Sequence, residues 1–298
     1  MAMFGFVYAW YLAVVLLLEV WFDYRKDIVG WYQAAQGPKR WFYYALTLGA
    51  TDVSPKALKF DDSAGRWITV LGIPSAFLLH GYVGFIFGSV KANPWWSSVL
   101  MPVVFLLSAI VSGIALVLVL YMVTTMARGK SVDMPCLDKL AQFLFYAIVI
   151  DLSLEILDFI HRLYESEESI GILSQLIEGR LFLSLIVLQL LLGTLVPFVV
   201  LGLTTHAFRP RPLVQVPAEL RRMLYLVAAI LVQIGIFSMR FNVVIGGQLF
   251  SKSLRGLTVY KVEFLGIEGL ASTIVLLLLP LFLLWVLVKI LPPWHEEA

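Results

Sequence analysis

Residues 67–90 read WITVLGIPSAFLLHGYVGFIFGSV, a run of 24 residues without Asp, Glu, Lys or Arg. An α-helix rises about 1.5 Å per residue, so about 20 residues cover the roughly 30 Å hydrocarbon core of a bilayer. The run is long and continuous rather than short and alternating, which is typical of a membrane-spanning helix. The stretch therefore predicts an integral membrane protein built from α-helices.

The rest of the chain repeats this pattern. Sixty per cent of its 298 residues are hydrophobic and 14% are charged, whereas soluble domains carry about 25% charged residues. We predict an all-α integral membrane fold with about seven transmembrane helices in a single domain over residues 1–298. The predicted spans are 3–22, 67–90, 98–126, 139–161, 181–205, 220–240 and 267–290.

Lysine and arginine are unevenly distributed among the connections between these spans. Counted with the adjoining ends of the spans, the connections on one side carry 15, seven of them in residues 23–66, and those on the other side carry 7. The positive-inside rule then places the N-terminus outside and the C-terminus inside. Within the 23–66 connection, Trp41-Phe42-Tyr43-Tyr44 beside Lys39-Arg40 indicates either a helix lying in the inner interface or an ordinary loop with aromatic anchors.

Acidic residues interrupt the fourth predicted span at helical spacing. Asp151, Glu155, Asp158 and Arg162 stand at i, i+4, i+7 and i+11, so they share one helix face. An ionisable residue costs about 2.5–3.5 kcal/mol at the centre of a membrane helix on insertion scales, so this face is expected to line a polar interior. We interpret Asp151, Glu155 and Asp158 as a proton pathway; the alternative is that Asp158 simply pairs with Arg162 near the interface.

His80 is the one histidine deep in a predicted span, and it is followed by Gly84 and Gly88 at i+4 and i+8. A stripe of small residues lets a neighbouring helix approach closely, so we expect His80 to face the helix bundle. It is either a proton-exchanging ligand to a redox carrier such as a quinone, or a packing histidine with one interhelical hydrogen bond. Other polar residues are interpreted as snorkelling anchors (Glu19 and Arg240) or as interhelical hydrogen-bond partners (Gln189 and Gln233).

Several classes of cofactor and partner are not expected. A single cysteine, Cys136, excludes a disulfide framework and an iron–sulfur cluster held by this chain, because such a cluster takes about four thiolates. A bis-histidine haem needs two histidines at matched depth, and only His80 is deep. We expect no haem, no metal site and no nucleic-acid partner for this chain. The net charge of +2 carries no information about nucleic acid, because the positive charges belong to the loops.

Three segments resemble one known family. They are similar to the NrfD/PsrC family of polysulfide-reductase-type membrane subunits. The segments are residues 72–88, Pro94-Trp-Trp with residues 101–113, and the run MRFNVVIGGQ at 239–248. The similarity covers nearly the whole chain. It is greatest to the ten-span branch of the family, which includes the hydrogenase-2 anchor, the Dsr complex P subunit and the alternative complex III subunits. The first span here resembles the fourth of that branch, so we expect about three family helices to be missing from this chain.

The resemblance implies a haem-free subunit in the cell (cytoplasmic) membrane of a prokaryote. Such a subunit binds menaquinone or ubiquinone and exchanges electrons with an iron–sulfur partner on the outer face. The quinone-binding residues would be His80, Tyr82 and Gly84. The implied partners are a ferredoxin-like [4Fe–4S] subunit and, in a Dsr-type sulfur-metabolism complex, cytochrome b and multihaem cytochrome c subunits, besides membrane lipid.

A different class of function stays open. The chain is alternatively a proton-translocating or secondary-transport subunit that uses the Asp151 and Glu155 stripe without quinone chemistry. Transporters usually show inverted repeats and broken helices at the membrane midplane, and neither is evident in this sequence. The sequence does not decide whether the chain is itself quinone-reactive or a non-catalytic subunit of an oxidoreductase.

Overall fold

The computed structural model describes residues 2–165, 170–205, 214–251, 256–259, 261, 263–266 and 269–291. The α-helices in this part of the chain are α1 Ala2–Trp10, α2 Leu17–Ala34, α3 Pro38–Leu46, α4 Pro55–Gly88, α5 Met101–Ala127, α6 Met134–Glu165, α7 Ile170–Gln175, α8 Val196–Thr204, α9 Ala218–Gln248 and α10 Leu270–Ile290. Wider π-helical turns fill Tyr11–Leu16, Leu176–Arg180 and Phe182–Leu195. The last of these runs directly into α8.

Six helices in the described ranges are long and apolar enough to cross a bilayer, which confirms the predicted helical membrane fold. They are Gly5–Ala34, Pro55–Gly88, Met101–Ala127, Phe182–Thr204, Ala218–Gln248 and Leu270–Ile290. Helix α6, at the place of the predicted fourth span, has 32 residues and is also long enough to cross a bilayer. Three of the six run well past the predicted apolar limits, namely Gly5–Ala34, Pro55–Gly88 and Ala218–Gln248.

The chain divides into two compact units. Unit 1 comprises residues 1–79 and 261–298, and unit 2 comprises residues 80–260. In unit 1, α2 runs past residue 22 to Ala34, and α4 begins at Pro55. A buried ion pair joins these extensions: Arg25 Nε donates to Asp61 Oδ2 at 2.7 Å, and Arg25 Nη1 donates to the Asp52 carbonyl at 2.7 Å. The 23–66 connection is therefore largely helical.

The aromatic segment within that connection forms a helix, α3, so the loop interpretation is wrong for residues 38–46. Pro38 occupies its first turn, where a missing N–H costs no hydrogen bond. The side chain of Trp41 is 74% exposed, and the Arg40 guanidinium carbon lies 5.3 Å from the centroid of the Tyr32 ring. An exposed aromatic side chain beside basic residues is the composition expected of an interfacial helix.

Unit 2 contains a bundle of four long helices: α5, α6, the Phe182–Thr204 helix and α9. Its largest described core cluster draws on all four and includes Leu118, Leu144, Phe145, Leu201 and Tyr225. The Phe182–Thr204 helix and α9 approach each other closely at Gly193 and Gly235, where a Cβ built on Gly193 would lie 2.2 Å from the Gly235 Cα. Two glycines at the crossing let the backbones touch, as small residues commonly do in membrane helix pairs.

Candidate functional site

The connection between α4 and α5 carries two tryptophans whose indoles lie against α9. Trp95 Nε1 donates to the Asn242 carbonyl at 2.9 Å, and Trp96 Nε1 donates to the Val243 carbonyl at 2.6 Å. A Cβ on Gly247 would lie 2.0 Å from the Trp96 ring, so this position needs a glycine. Two of the segments that resemble the family are therefore in direct contact, and they form one end of the bundle.

An ion-pair network ties this end to α6. Arg162 Nε donates to Asp158 Oδ2 at 2.8 Å, and Arg162 Nη1 donates to the Trp95 carbonyl. Ser98 Oγ hydrogen-bonds the other carboxylate oxygen of Asp158. The Asp158 side chain is 3% exposed and that of Arg162 is 11% exposed. The alternative to a proton pathway, in which Asp158 pairs with Arg162, is present in the structure, and both oxygens of Asp158 have partners.

Three polar side chains from three helices form a chain of hydrogen bonds beside this network. Gln189 Nε2 donates to Glu155 Oε1, and Asn242 Nδ2 donates to Gln189 Oε1 at 2.8 Å. Asn242 is 1% exposed, and its Oδ1 has no hydrogen-bond partner among the described residues. The prediction that Gln189 is an interhelical hydrogen-bond partner is confirmed. Gln189 lies in the π-helical Phe182–Leu195 segment, a geometry often found at functional sites.

The hydrogen-bonded triad of Glu155, Gln189 and Asn242 lines a cavity of about 170 Å³. A cavity of about 150 Å³ is large enough to hold a benzene ring. The ion-pair network lies at the same cavity, and most of the remaining wall is apolar. Two of its apolar residues, Ile156 and Phe159, are exposed on α6, so the cavity opens on that side. The apolar wall includes Val104, Leu152, Leu185, Ile186, Leu190 and Met239.

A second polar cluster surrounds Arg240. Its Nη2 donates to the Phe105 carbonyl at 3.0 Å and to Ser108 Oγ at 2.7 Å, and the guanidinium lies 3.9 Å from the Phe105 ring centroid. The interpretation of Arg240 as a snorkelling anchor is therefore wrong, because its head group binds α5. Arg240 Nη1 and Asp151 Oδ1 are buried without hydrogen-bond partners in the described ranges.

His80 lies within electrostatic range of Arg240. The positive charge of Arg240 acts on its half-buried imidazole, which forms no hydrogen bond with any residue that the structure describes. The predicted packing role of the glycine stripe is confirmed, because a Cβ on Gly84 would lie 2.5 Å from the Met101 carbonyl oxygen. Gly84 therefore contacts backbone on that side. Tyr82 stacks on Phe85 with ring centroids 6.2 Å apart.

Sequence patterns alone assigned no role to Asn242 or Trp95, although both residues belong to the motifs that resemble the family. The available signal for Asn242 was an amide in an apolar helix two residues from Arg240. Gln233, whose Nε2 donates to the Ser112 carbonyl at 2.6 Å, is an interhelical partner as predicted. In the part of the chain that the structure describes, no three His, Cys, Asp or Glu side chains group to hold a metal ion.

Comparison with known proteins gives two findings. The family model described as "Polysulphide reductase, NrfD" matches residues 1–252 of the chain. A subunit of the selenate reductase of Mesobacillus selenatarsenatis is 37% identical over 161 residues, which are 52% of this chain. The aligned region covers 37% of the relative, so this chain matches little more than a third of that protein's length.

Proposed function

Because the chain belongs to the NrfD family, whose model matches residues 1–252, we propose that it is a quinone-reactive membrane subunit of a multisubunit oxidoreductase. The observation that carries this proposal is His80, an imidazole in a membrane helix that is half-buried and makes no hydrogen bond to the described protein. A polar side chain at membrane depth usually has a partner or a function. Its ring nitrogens are available to a ligand oxygen.

The partners follow from the same proposal. The relative is named as one subunit of a selenate reductase, which supports a place for this chain in a reductase complex. The partner that we propose is an iron–sulfur subunit of ferredoxin type on the outer face of a prokaryotic cell membrane. In a sulfur-metabolism complex, cytochrome subunits would be further partners. The charge bias of the connections supports a C-terminus inside.

The residues around His80 suit a quinone. A bound menaquinone or ubiquinone supplies two-electron, two-proton redox chemistry. The His80 imidazole can donate a hydrogen bond to a ring oxygen or take the proton that the oxygen loses. Arg240, held on Phe105 and Ser108, keeps an unpartnered Nη1 and places positive charge beside this site. Asp151 is the acid that we assign to pass the proton on, and Glu155 lies one helical turn further along α6.

Replacing His80 with alanine tests this function. We expect His80→Ala to lower quinol-dependent electron transfer by about 100-fold or more, because a positioned acid–base group typically contributes that much. The measurement is the quinol oxidation rate of the assembled complex in native membranes, with the amount of each subunit quantified on the same preparation.

The control for this experiment is Gly81→Ala, at the adjacent position of α4, where an added Cβ meets nothing within 4 Å. It should keep the full rate. Normal turnover in His80→Ala, with normal assembly, would contradict the assignment of His80 to the quinone site.

Proton translocation without quinone chemistry is the second candidate function, and one observation favours it. Asp151 is 8% exposed and has an unpartnered carboxylate oxygen beside Arg240 in the described ranges, which suits a site that exchanges protons with internal water. We expect the chain alone in liposomes to show no proton flux, and Asp151→Asn to slow only the quinol-linked rate. A proton flux without any redox partner that Asp151→Asn abolishes would favour the second function instead.

A further inference from the structure

Another cavity lies in unit 1, between α2, the start of α4 and the segment that joins α3 to α4. Its volume is about 550 Å³, within the range of about 300–1,000 Å³ that is typical of ligand pockets. Three aromatic side chains, Trp21, Phe22 and Phe60, form much of its apolar wall, and its polar side chains carry charges of both signs. None of the residues assigned to the quinone or to the proton pathway lines it, so the proposed function does not account for this cavity.

The position of the cavity along the helices places it at the level of the lipid headgroups. Phe22 is the last residue of the first predicted span, and Phe60 packs edge-on against it with ring centroids 6.4 Å apart. Phe60 stands seven residues before Trp67, where the apolar run of α4 begins, and seven helical residues cover about 10 Å. The headgroup region beyond the hydrocarbon core is about 5–8 Å deep on each side, so a molecule in this cavity lies among headgroups.

One pair of charges at the cavity is already satisfied within the protein. Arg25 and Asp61 form the buried ion pair between α2 and α4, and their charges neutralise each other. Lys56 is different: it lies exposed in the first turn of α4, and its ammonium forms no ion pair with any residue that the structure describes. The cavity therefore offers a free cation at its edge.

Asp52 supplies the opposite charge. Its carboxylate oxygens accept hydrogen bonds from the Ser54 backbone N–H at 2.8 Å and from the Ser54 hydroxyl at 3.1 Å. These hydrogen bonds, and to a smaller extent the charge of Arg25, lower the pKa of Asp52 below its usual value, so the side chain is ionised at neutral pH. A carboxylate has about four acceptor positions and Ser54 uses two, so Asp52, which is exposed, can accept further hydrogen bonds from a ligand.

A free ammonium and a free carboxylate beside one aromatic wall match the two charges of a zwitterionic headgroup. A lysine ammonium is a common partner of phosphate, and a primary ammonium has three donors that a carboxylate can accept. A quaternary ammonium has no N–H to donate, and a headgroup without a cation leaves Asp52 beside a negative charge. Only a headgroup with a phosphate and a primary ammonium satisfies both Lys56 and Asp52.

We propose that this cavity binds a zwitterionic phospholipid with a primary ammonium headgroup, whose phosphate pairs with Lys56 and whose ammonium pairs with Asp52. The wall of Trp21, Phe22 and Phe60 covers the glycerol and the first methylene groups of the lipid. The site needs no redox partner and lies wholly in unit 1, so it stands independently of the function proposed for His80.

The test compares phosphatidylethanolamine, phosphatidylcholine and phosphatidylglycerol, each with two oleoyl chains. Native mass spectrometry of the full chain in detergent counts the bound lipids during titration with each and gives an apparent dissociation constant. We expect phosphatidylethanolamine to bind about fivefold more tightly than either of the other two lipids. The expected factor is modest because an exposed charge pair contributes about fivefold or less in water.

Single substitutions identify the origin of this preference. Asp52→Asn should abolish the preference over phosphatidylcholine, while asparagine still accepts a hydrogen bond from Ser54 and keeps the local turn. Lys56→Gln should weaken binding of all three lipids by a similar factor, because it removes the partner of the phosphate. Lys59→Gln and Asp62→Asn are the matched controls, since they remove exposed charges of α4 that do not line the cavity, and both should keep the native affinities.

Three outcomes would overturn this proposal. The first is equal binding of phosphatidylethanolamine and phosphatidylcholine, or a preference that survives Asp52→Asn. The second is tightest binding of phosphatidylglycerol, which would indicate a site for acidic lipids. The third is a loss of affinity in Lys59→Gln as large as that in Lys56→Gln, because the lipid would then respond to the surface charge of α4 in general and not to the cavity.

Discussion

Gly235→Val is expected to destabilise the bundle of unit 2 and to lower the yield of folded protein. A Cβ at this position would lie 2.6 Å from the Gly193 Cα, and that neighbour is backbone, which cannot move aside as a flexible side chain would. Valine adds two further methyl groups, so α9 and the Phe182–Thr204 helix must separate. Overpacking of a core typically costs about 1–3 kcal/mol or more. The measurement is the monodisperse fraction and its apparent melting temperature after detergent extraction.

The control for Gly235→Val is Gly113→Val, which introduces the same residue into another membrane helix. An added Cβ at Gly113 meets nothing within 4 Å, so only the intrinsic helix propensity changes. Gly113→Val should therefore extract and melt much like the native chain. Similar behaviour of the two variants would show that the Gly193–Gly235 crossing does not hold the bundle together.

Arg162→Met is expected to be the most destabilising removal of a charge in unit 2. It leaves Asp158, 3% exposed, as a buried carboxylate without its cation, and it removes the hydrogen bond to the Trp95 carbonyl. Breaking a buried pair in this way typically costs about 3–5 kcal/mol. Thermal unfolding in detergent measures this effect.

Two further variants make this prediction specific. Asp158→Leu combined with Arg162→Met removes both charges and should recover part of the lost stability, because no unpaired charge then remains buried. Arg222→Met breaks the pair with Glu219, whose side chain is 78% exposed, and should cost at most about 1 kcal/mol. Equal losses in Arg162→Met and Arg222→Met would mean that the buried network contributes no more than a surface pair.

Sequence patterns predicted most of the helices, because each span needs about 20 apolar residues whatever its neighbours are. They also predicted that the glycine stripe after His80 permits close packing, and they offered the pairing of Asp158 with Arg162 as the alternative to a proton pathway. These are local properties of single helices. The boundaries were less accurate: α2 and α4 extend well past the apolar limits because Arg25 and Asp61 stabilise each other across that extension.

The role of Arg240 could not be predicted from the sequence. A cation near the end of an apolar run usually reaches for the interface, but here Ser108 and the Phe105 carbonyl hold it inside. Both partners are more than 130 residues away along the chain. The predicted functions of His80, Tyr82, Asp151 and Glu155 stay predictions, now with defined surroundings for each.

The sequence by itself determined that this chain is a helical membrane protein of the NrfD family, because hydrophobic length and local motifs carry that information directly. Only the tertiary structure decided which polar groups meet. Glu155, Gln189 and Asn242 come from three different helices, and nothing in their spacing along the chain announces that they form one hydrogen-bonded line. The free oxygen at the end of that line exists only because the helices pack as they do, since burial removes the water that would otherwise satisfy it.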